Sequence, residues 1–282
     1  MPTTPKVSLI ISTYNWPKAL NLVLESVKSQ STQPFEVLIA DDGSKQETAM
    51  LIKQWQKTST APLIHIWQED KGFQLAKIRN KAAIQAKGDY LVFIDGDCLL
   101  RENFVKNHIN LASPGYFVAG NRVLIKEEFT KELIREQKQI HQLRPWQYSS
   151  TQLKRRWPLL ELPLGPIRKL RRNSWKPLKG CNFALWKKDF FAINGVDEAF
   201  VGWGYEDSEM TVRLLHNGLK LLSGRFSTTV LHIWHPEQDR SNENENWKKL
   251  HEVINSNKKV ACLGISEQIT NNKKESFTYR VE

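Results

Sequence analysis

The sequence predicts an α/β fold, a mixed, mostly parallel sheet flanked by helices. Three apolar, β-rich runs carry this expectation: "KVSLIIST", "FEVLIADDGS" and "GDYLVFIDGDC". Each ends in polar or acidic residues, and stretches with helical spacing separate them. Runs of this length and apolarity suit strands buried on both faces of a parallel sheet.

The elements follow in order. After the first run, "WPKALNLVLESVKSQ" puts Leu20, Val23, Leu24 and Val27 on one helical face. Pro17 falls in its first turn, where a missing N–H is harmless. "LAKIRNKAAIQAKG" reads as a second helix, closed by Gly88. "GYFVAGNRVLI" reads as one further strand, and a charged helix begins near Glu127. Between residues 144 and 179, basic residues, tryptophans and prolines interleave. The prolines exclude a continuous helix, so this stretch reads as an insertion or flexible loop with short helical turns. "GCNFALWKKDFFAINGVDEAF" resumes with a strand and a helix. "YEDSEMTVRLLHNG" is a helix anchored by Val212, Leu214 and Leu215 and stopped at Gly218. "LLSGRFSTTVLHIWHP" reads as a final strand, and one amphipathic helix follows around Trp247 to Ile254.

The chain has 282 residues, 40% of them hydrophobic, enough for a sizeable core. Its net charge of +11 points to an anionic partner: nucleic acid, a membrane surface or a phosphorylated substrate. Cys98, Cys181 and Cys262 lie far apart, which argues against a disulfide framework or a zinc cage and suits a reducing cytosol. The N-terminal stretch lacks the pattern of a signal peptide, and no run approaches the roughly 18 apolar residues of a membrane span. A cytoplasmic protein, free or bound to a membrane surface, is expected.

In open α/β sheets, ligands bind beyond the carboxyl ends of the strands. "STYN", "DDGS" and "DGD" occupy those ends. One such cluster is as readily a turn, since Asp, Gly and Ser favour turns; three at equivalent ends argue for a site. Asp95 and Asp97 flank Gly96. Carboxylate oxygens suit hard divalent cations, and glycine lets the backbone approach a diphosphate. Two acids alone bind Mg²⁺ or Mn²⁺ weakly, so a phosphate-bearing substrate would complete the shell. His232 and His235 lie in the last strand region, and an imidazole ligand favours Mn²⁺ over Mg²⁺. In "GWGYEDSEM", Trp203 and Tyr205 crowd against Glu206, Asp207 and Glu209. Acids at a helix start also suit its dipole without any catalysis.

"VSLIISTYN", "VLIADDGS", "RNKAA" and "YLVFIDGDC", in that order, resemble the nucleotide-binding half of family 2 glycosyltransferases with the GT-A fold. "GVDEAFVGWGYEDSEMTVRL" and "TVLHIWHP" resemble the acceptor-side segment and closing metal-binding strand of β1,4-galactosyltransferases and chondroitin-polymerase-type enzymes. The resemblance covers roughly residues 5–125 and 178–240. The expected organisation is a nucleotide-sugar-binding half over 1–125 and a basic insertion over 126–178 without a placed counterpart. An acceptor- and metal-binding half would span 179–240 and a helical tail 241–282. The resemblance implies that Ser12, Thr13 and Tyr14 line the base pocket and that Asp42 bonds the uracil or ribose. Phe73, Lys77 and Arg79 would flank the nucleotide, with Asp95 and Gly96 at the ribose and diphosphate. Asp97 and His232 would hold Mn²⁺ or Mg²⁺, with His235 the alternative ligand. Asp207 would be the general base, Glu206 a partner of a sugar hydroxyl, and Trp203 with Gly204 an acceptor platform. The implied reaction is inverting transfer from a UDP-sugar to a saccharide or lipid-linked acceptor, in lipopolysaccharide or other surface-glycan synthesis.

Two rivals fit less well. A sugar nucleotidyltransferase needs a Gly-rich, Arg-bearing phosphate loop after its first strand, and "STYNWPKAL" has none. "LKRRW" and "IRKLRRNSW" suit a non-enzymatic protein that binds single-stranded nucleic acid. The paired acids would repel phosphates unless a metal intervened, so nucleic acid is not the expected partner. The basic segment is instead expected to meet an anionic membrane surface, the alternatives being a solvated basic loop and a direct grip on a phosphorylated saccharide acceptor.

Overall fold

The computed structural model describes residues 4–236 and 239–270. Strand β1 (Val7–Thr13) is buried at every position, as its apolar run requires. Helix α1 (Pro17–Lys28) starts at Pro17 and buries Leu20, Val23, Leu24 and Val27. β2 (Glu36–Asp41), α2 (Gln46–Thr58), β3 (Leu63–Trp67), α3 (Leu75–Gln85) and β4 (Tyr90–Asp95) complete the first half of the sheet. β1 pairs in parallel with β2 and with β4, and β2 with β3. The register sets Thr13 beside Asp41 and Ser12 beside Asp95. All three polar clusters therefore share one edge.

β5 (Cys98–Leu99), α4 (Phe104–Leu111), β6 (Tyr116–Ala119), β7 (Asn121–Leu124) and α5 (Glu127–Glu136) follow. Then come β8 (Asn182–Trp186), α6 (Lys187–Ala192), α7 (Glu206–His216), β9 (Lys220–Ser223), β10 (Thr229–His232) and α8 (Glu243–Ile254). Seven strands form one sheet in the order β3-β2-β1-β4-β8-β6-β9, and a second sheet has the order β5-β10-β7. β8 runs antiparallel to β4 and β6, so the large sheet is mixed but mostly parallel.

Two single-strand expectations are corrected. "GYFVAGNRVLI" is two strands, β6 in the large sheet and β7 in the small one. "LLSGRFSTTVLHIWHP" is likewise split into β9 and β10. Each chain crosses between sheets at a glycine that a side chain would block. A Cβ on Gly120 would lie 2.2 Å from the Asn182 side chain, and one on Gly224 2.2 Å from Thr228 Oγ1.

Residues 126–178 pack rather than loop freely. Ile140, Tyr148, Leu153 and Leu159 join the core beneath α1 and β1. Short 3₁₀ turns at Pro145–Gln147, Trp157–Leu159 and Gly165–Lys169 carry the chain past its prolines. Buried Arg168 ties the last turn to Ser223 O and Arg225 O, each at 2.8 Å. The expected tail over 241–282 begins with α8, which packs on α7 through Val212, Leu250 and Val253. Its residues 271–282 lie outside the described residues. No helix among the described residues is long and apolar enough to cross a membrane.

Candidate active site

The small sheet assembles the metal-ligand candidates. β5 follows the D-x-D turn and runs antiparallel to β10, with Cys98 opposite His232. The Ile233 N–H donates to Asp97 O at 2.9 Å. Asp97 Oδ1 then lies 3.7 Å from His232 Nε2, and Oδ2 lies 3.4 Å from His235 Nε2. The structure brings both histidines to Asp97, not one in place of the other. Burial pushes the Asp97 carboxyl up, and the two imidazoles oppose that shift. His232 Nδ1 is buried with no hydrogen-bond partner. A carboxylate and two imidazoles within reach of one another fit a divalent cation.

Gly96 lets this turn sit against β1. Its N–H donates to Ser12 O at 2.7 Å, and a Cβ there would lie 2.9 Å from that oxygen. Asp95 points to Arg79, not to Asp97's histidines. Buried Arg79 donates through Nη2 to Asp95 Oδ1 and to Gly180 O, both at 2.8 Å, and through Nε to Ser12 Oγ at 3.2 Å. Its Nη1 lies 4.0 Å from Glu206 Oε1. Arg79 is thus a cross-link beneath the site, joining β1, the D-x-D turn, Gly180 and α7.

The first turn of α7 faces the same cross-link. Tyr205 precedes it in the left-handed region, φ 68°, and Gly202 and Gly204 also have positive φ. This backbone turns the helix start inward. Asp207 Oδ2 accepts the Gly180 N–H at 2.7 Å, and Oδ1 accepts from Ser208 Oγ at 3.1 Å. Burial, with Asp207 close by, pushes Glu206 up to about 7. Glu209 is spoken for: Arg213 grips it with two bonds of 2.7 Å, and both side chains are fully buried. Trp203 is half-buried beneath the Arg240 guanidinium, 4.6 Å from its ring centre.

At the nucleotide end, Ser12 and Thr13 are buried and Tyr14 is exposed. Tyr14 Oη donates to Asp70 Oδ2 at 2.9 Å. Of the two acids ending β2, Asp41 is internal, accepting Ser44 N–H and bonding His65 Nε2, both at 2.8 Å. Asp42 accepts Gln68 Nε2 at 2.6 Å and the Gln74 N–H at 2.8 Å. Burial raises its pKa. Phe73 is half-buried and Lys77 exposed beside this loop.

Sequence reasoning passed over Gln68, Asp70 and Gly180. The first two lie in "WQEDKG", a polar cluster after β3, and the strand-end rule applied there would have found them. Gly180 has no local signal, because its role depends on Arg79 and Asp207 arriving from elsewhere. Cys98 and Cys181, distant in sequence, meet beside His232.

Comparison with known proteins bears on the family and the fold. The profile described as "Glycosyl transferase family 2" matches residues 8–176, and that described as "N-terminal domain of galactosyltransferase" matches 168–236. A validoxylamine A glucosyltransferase from Streptomyces hygroscopicus subsp. limoneus is 27% identical over 79% of this chain and 51% of its own length. Chondroitin synthase of Escherichia coli is 28% identical over 75% of this chain and 32% of its own. The chain therefore spans about half the length of these relatives or less. Among solved structures, a Pyrobaculum calidifontis mannosyltransferase in complex with GDP-Man and Mn²⁺ aligns with a TM-score of 0.58 at 14% identity, over 99% of this chain and 83% of that one. GalNAc-T7 with UDP, GalNAc and Mn²⁺ aligns with a TM-score of 0.63 at 19% identity, over 89% and 48%. These likenesses establish the GT-A fold. With a profile match over more than half its length, the chain belongs to glycosyl transferase family 2.

Proposed function

We propose that this protein is an inverting, metal-dependent glycosyltransferase. It moves a hexose or N-acetylhexosamine from a UDP-sugar to an anionic saccharide or lipid-linked acceptor, in lipopolysaccharide or other surface-glycan synthesis. The observation that carries the reading is Asp97 facing two imidazoles at the sheet edge, with Asp207 held across Gly180 from the Arg79–Asp95 pair. Asp97, His232 and His235 would hold Mn²⁺ or Mg²⁺, the imidazoles favouring Mn²⁺. A divalent ion there supplies charge neutralisation for the departing diphosphate.

The chain's own residues do the rest. Ser12, Thr13, Tyr14 and Asp42 line the end of the cleft suited to the base and ribose. Arg79 fixes Asp95 and Gly180, so both halves of the site keep one geometry. Asp207 Oδ1, held by the longer Ser208 bond, accepts the proton of the acceptor hydroxyl. The acceptor oxygen bonds the anomeric carbon as the bond to the diphosphate breaks on the opposite face, which inverts the centre. Glu206, with its pKa near 7, bonds a sugar hydroxyl as donor or acceptor. Trp203 offers a ring face to a pyranose.

Two features bear on the acceptor. A cavity of about 460 Å³ sets Arg122, Lys154, Arg155 and Arg225 beside Asn121, Val123, Leu124 and Pro158, and its four cations would meet an anionic group. The segment 144–179 also exposes Trp146, Trp157, Ile167 and Leu170 among its cations. Each Lys or Arg near an anionic bilayer contributes about 1 kcal/mol, and aromatic rings favour its interface. This segment would dock the enzyme on the cytoplasmic face of the inner membrane. Flotation with anionic but not neutral vesicles, lost at high salt, is the expected result; failure with both contradicts docking.

The activity is tested by screening UDP-sugars for UDP release with Mn²⁺ and with EDTA. One sugar hydrolysed only with the metal supports the reading. No release from any sugar, or equal release with EDTA, contradicts it.

A further inference from the structure

The mechanism leaves two buried thiols unused beside its metal donors. Cys98 and Cys181 are free and buried, and with His232 their ligand atoms all lie within 4.8 Å of one another. The fold, not the sequence, makes this cluster. Cys98 pairs with His232 across β5 and β10, and Cys181 leads into β8. Asp97 Oδ1 adjoins it, 3.6 Å from Cys98 Sγ and 3.7 Å from His232 Nε2. Tetrahedral Zn²⁺, with bonds of about 2.3 Å to sulfur and 2.0–2.1 Å to nitrogen or oxygen, keeps its ligand atoms roughly 3.3–3.8 Å apart. The ligand atoms of Cys98, Cys181 and His232, already within 4.8 Å of one another, are a short closure from that spacing, while Asp97 is not a member of their group. Only His232 is common to this group and the Asp97–His232–His235 group.

We infer that Cys98, Cys181 and His232 form a second site for a thiophilic cation such as Zn²⁺ or Cd²⁺, and that filling it competes with the donor-site ion for the shared His232. Thiolates select soft and borderline cations, while carboxylates and phosphates suit Mg²⁺ and Mn²⁺. On binding, each thiol loses its proton to solvent and forms one metal–sulfur bond. Two thiolates balance a doubly charged ion, and the Arg122 guanidinium, 3.6 Å from Cys181 Sγ, favours the thiolate form. Because His232 serves both sites, Zn²⁺ acts as an inhibitor of the Mn²⁺-dependent reaction. This consequence rests on the proposed transferase reading; the thiophilic site does not.

The test is titration of metal-free protein with Co²⁺, read by thiolate-to-cobalt charge-transfer absorption. A strong band saturating at one Co²⁺ per chain and bleached by Zn²⁺ is expected. It should vanish in Cys98→Ser and in Cys181→Ser. Micromolar Zn²⁺ should lower Mn²⁺-dependent UDP release by about tenfold or more in the wild type, yet leave both variants within about twofold. A wild-type Co²⁺ complex without a thiolate band overturns the site, whether or not the variants fold. A thiolate band with undiminished UDP release in Zn²⁺ overturns the shared-ligand inhibition. If no UDP-sugar is turned over at all, the transferase reading fails and the cobalt spectrum still decides the site.

Discussion

One turn of α7 separates two kinds of carboxylate. Glu209 is fully buried and bound bidentately by Arg213, whose Nη1 also donates to Ile193 O and Gly195 O. Every charge there has a partner, and nothing is left for a substrate. Glu206 and Asp207 precede it at the helix start, where Arg79 is 4.0 Å from Glu206 and already bonded elsewhere. Glu206 is left with a carboxyl that burial and Asp207 push up to about 7. The acids of "YEDSE" look alike in the sequence. Their partners divide them into one that holds the helix in place and two that remain available for chemistry.

The largest expected break in that comparison is Asp207→Asn. It should keep the fold and UDP binding but lose about 10²–10⁴-fold in kcat, the usual worth of a positioned base. Retention of more than about a tenth of kcat moves the role to Glu206. Glu209→Gln should do the reverse. Breaking a buried ion pair costs about 3–5 kcal/mol, so chemical denaturation should show that loss while kcat per folded molecule stays close to wild type. A Glu209→Gln variant of normal stability contradicts the division.

Glu206→Gln sharpens the comparison through pH. The folded pKa of about 7 lies above the unfolded value, so the native state binds more protons between them. Stability from this group is complete below the unfolded pKa and is lost as pH rises through about 7. Thermal melts of the wild type should therefore fall, relative to Glu206→Gln, from mildly acidic to neutral pH. Parallel melting curves across that range contradict the shift. The smallest effect is expected from the exposed Lys131, which meets Glu127 and Glu128 on the outer face of α5. Lys131→Ala should leave both kcat and the melting temperature within error.

What the sequence disclosed follows the same divide between local and distant causes. β1, β2 and β4 were legible because full burial on both faces makes their runs continuously apolar. α1 and α7 were legible from periodicity and their end residues. The break at Gly120 was not, because the reason for that glycine is the Asn182 side chain far along the chain; a side chain at Gly224 is blocked by nearby Thr228 and by distant Ala119. The acids and histidines of the site were legible as residue types at strand ends. Their sorting was not: Asp41 from Asp42, Asp95 from Asp97 and Glu209 from Asp207 differ only in partners that the fold delivers. Arg79 shows this best. A position in the "RNKAA" motif marks it, yet only the structure reveals it as the cross-link of both halves.

The central claim is that Asp97 and its two histidines bind a divalent cation together with the donor's diphosphate. Calorimetry of UDP binding, with and without Mn²⁺, tests this most directly in the wild type and in Asp97→Ala. The account predicts Mn²⁺-dependent UDP binding in the wild type and its loss in Asp97→Ala, with the variant still folded. Undiminished Mn²⁺–UDP binding by Asp97→Ala would contradict it.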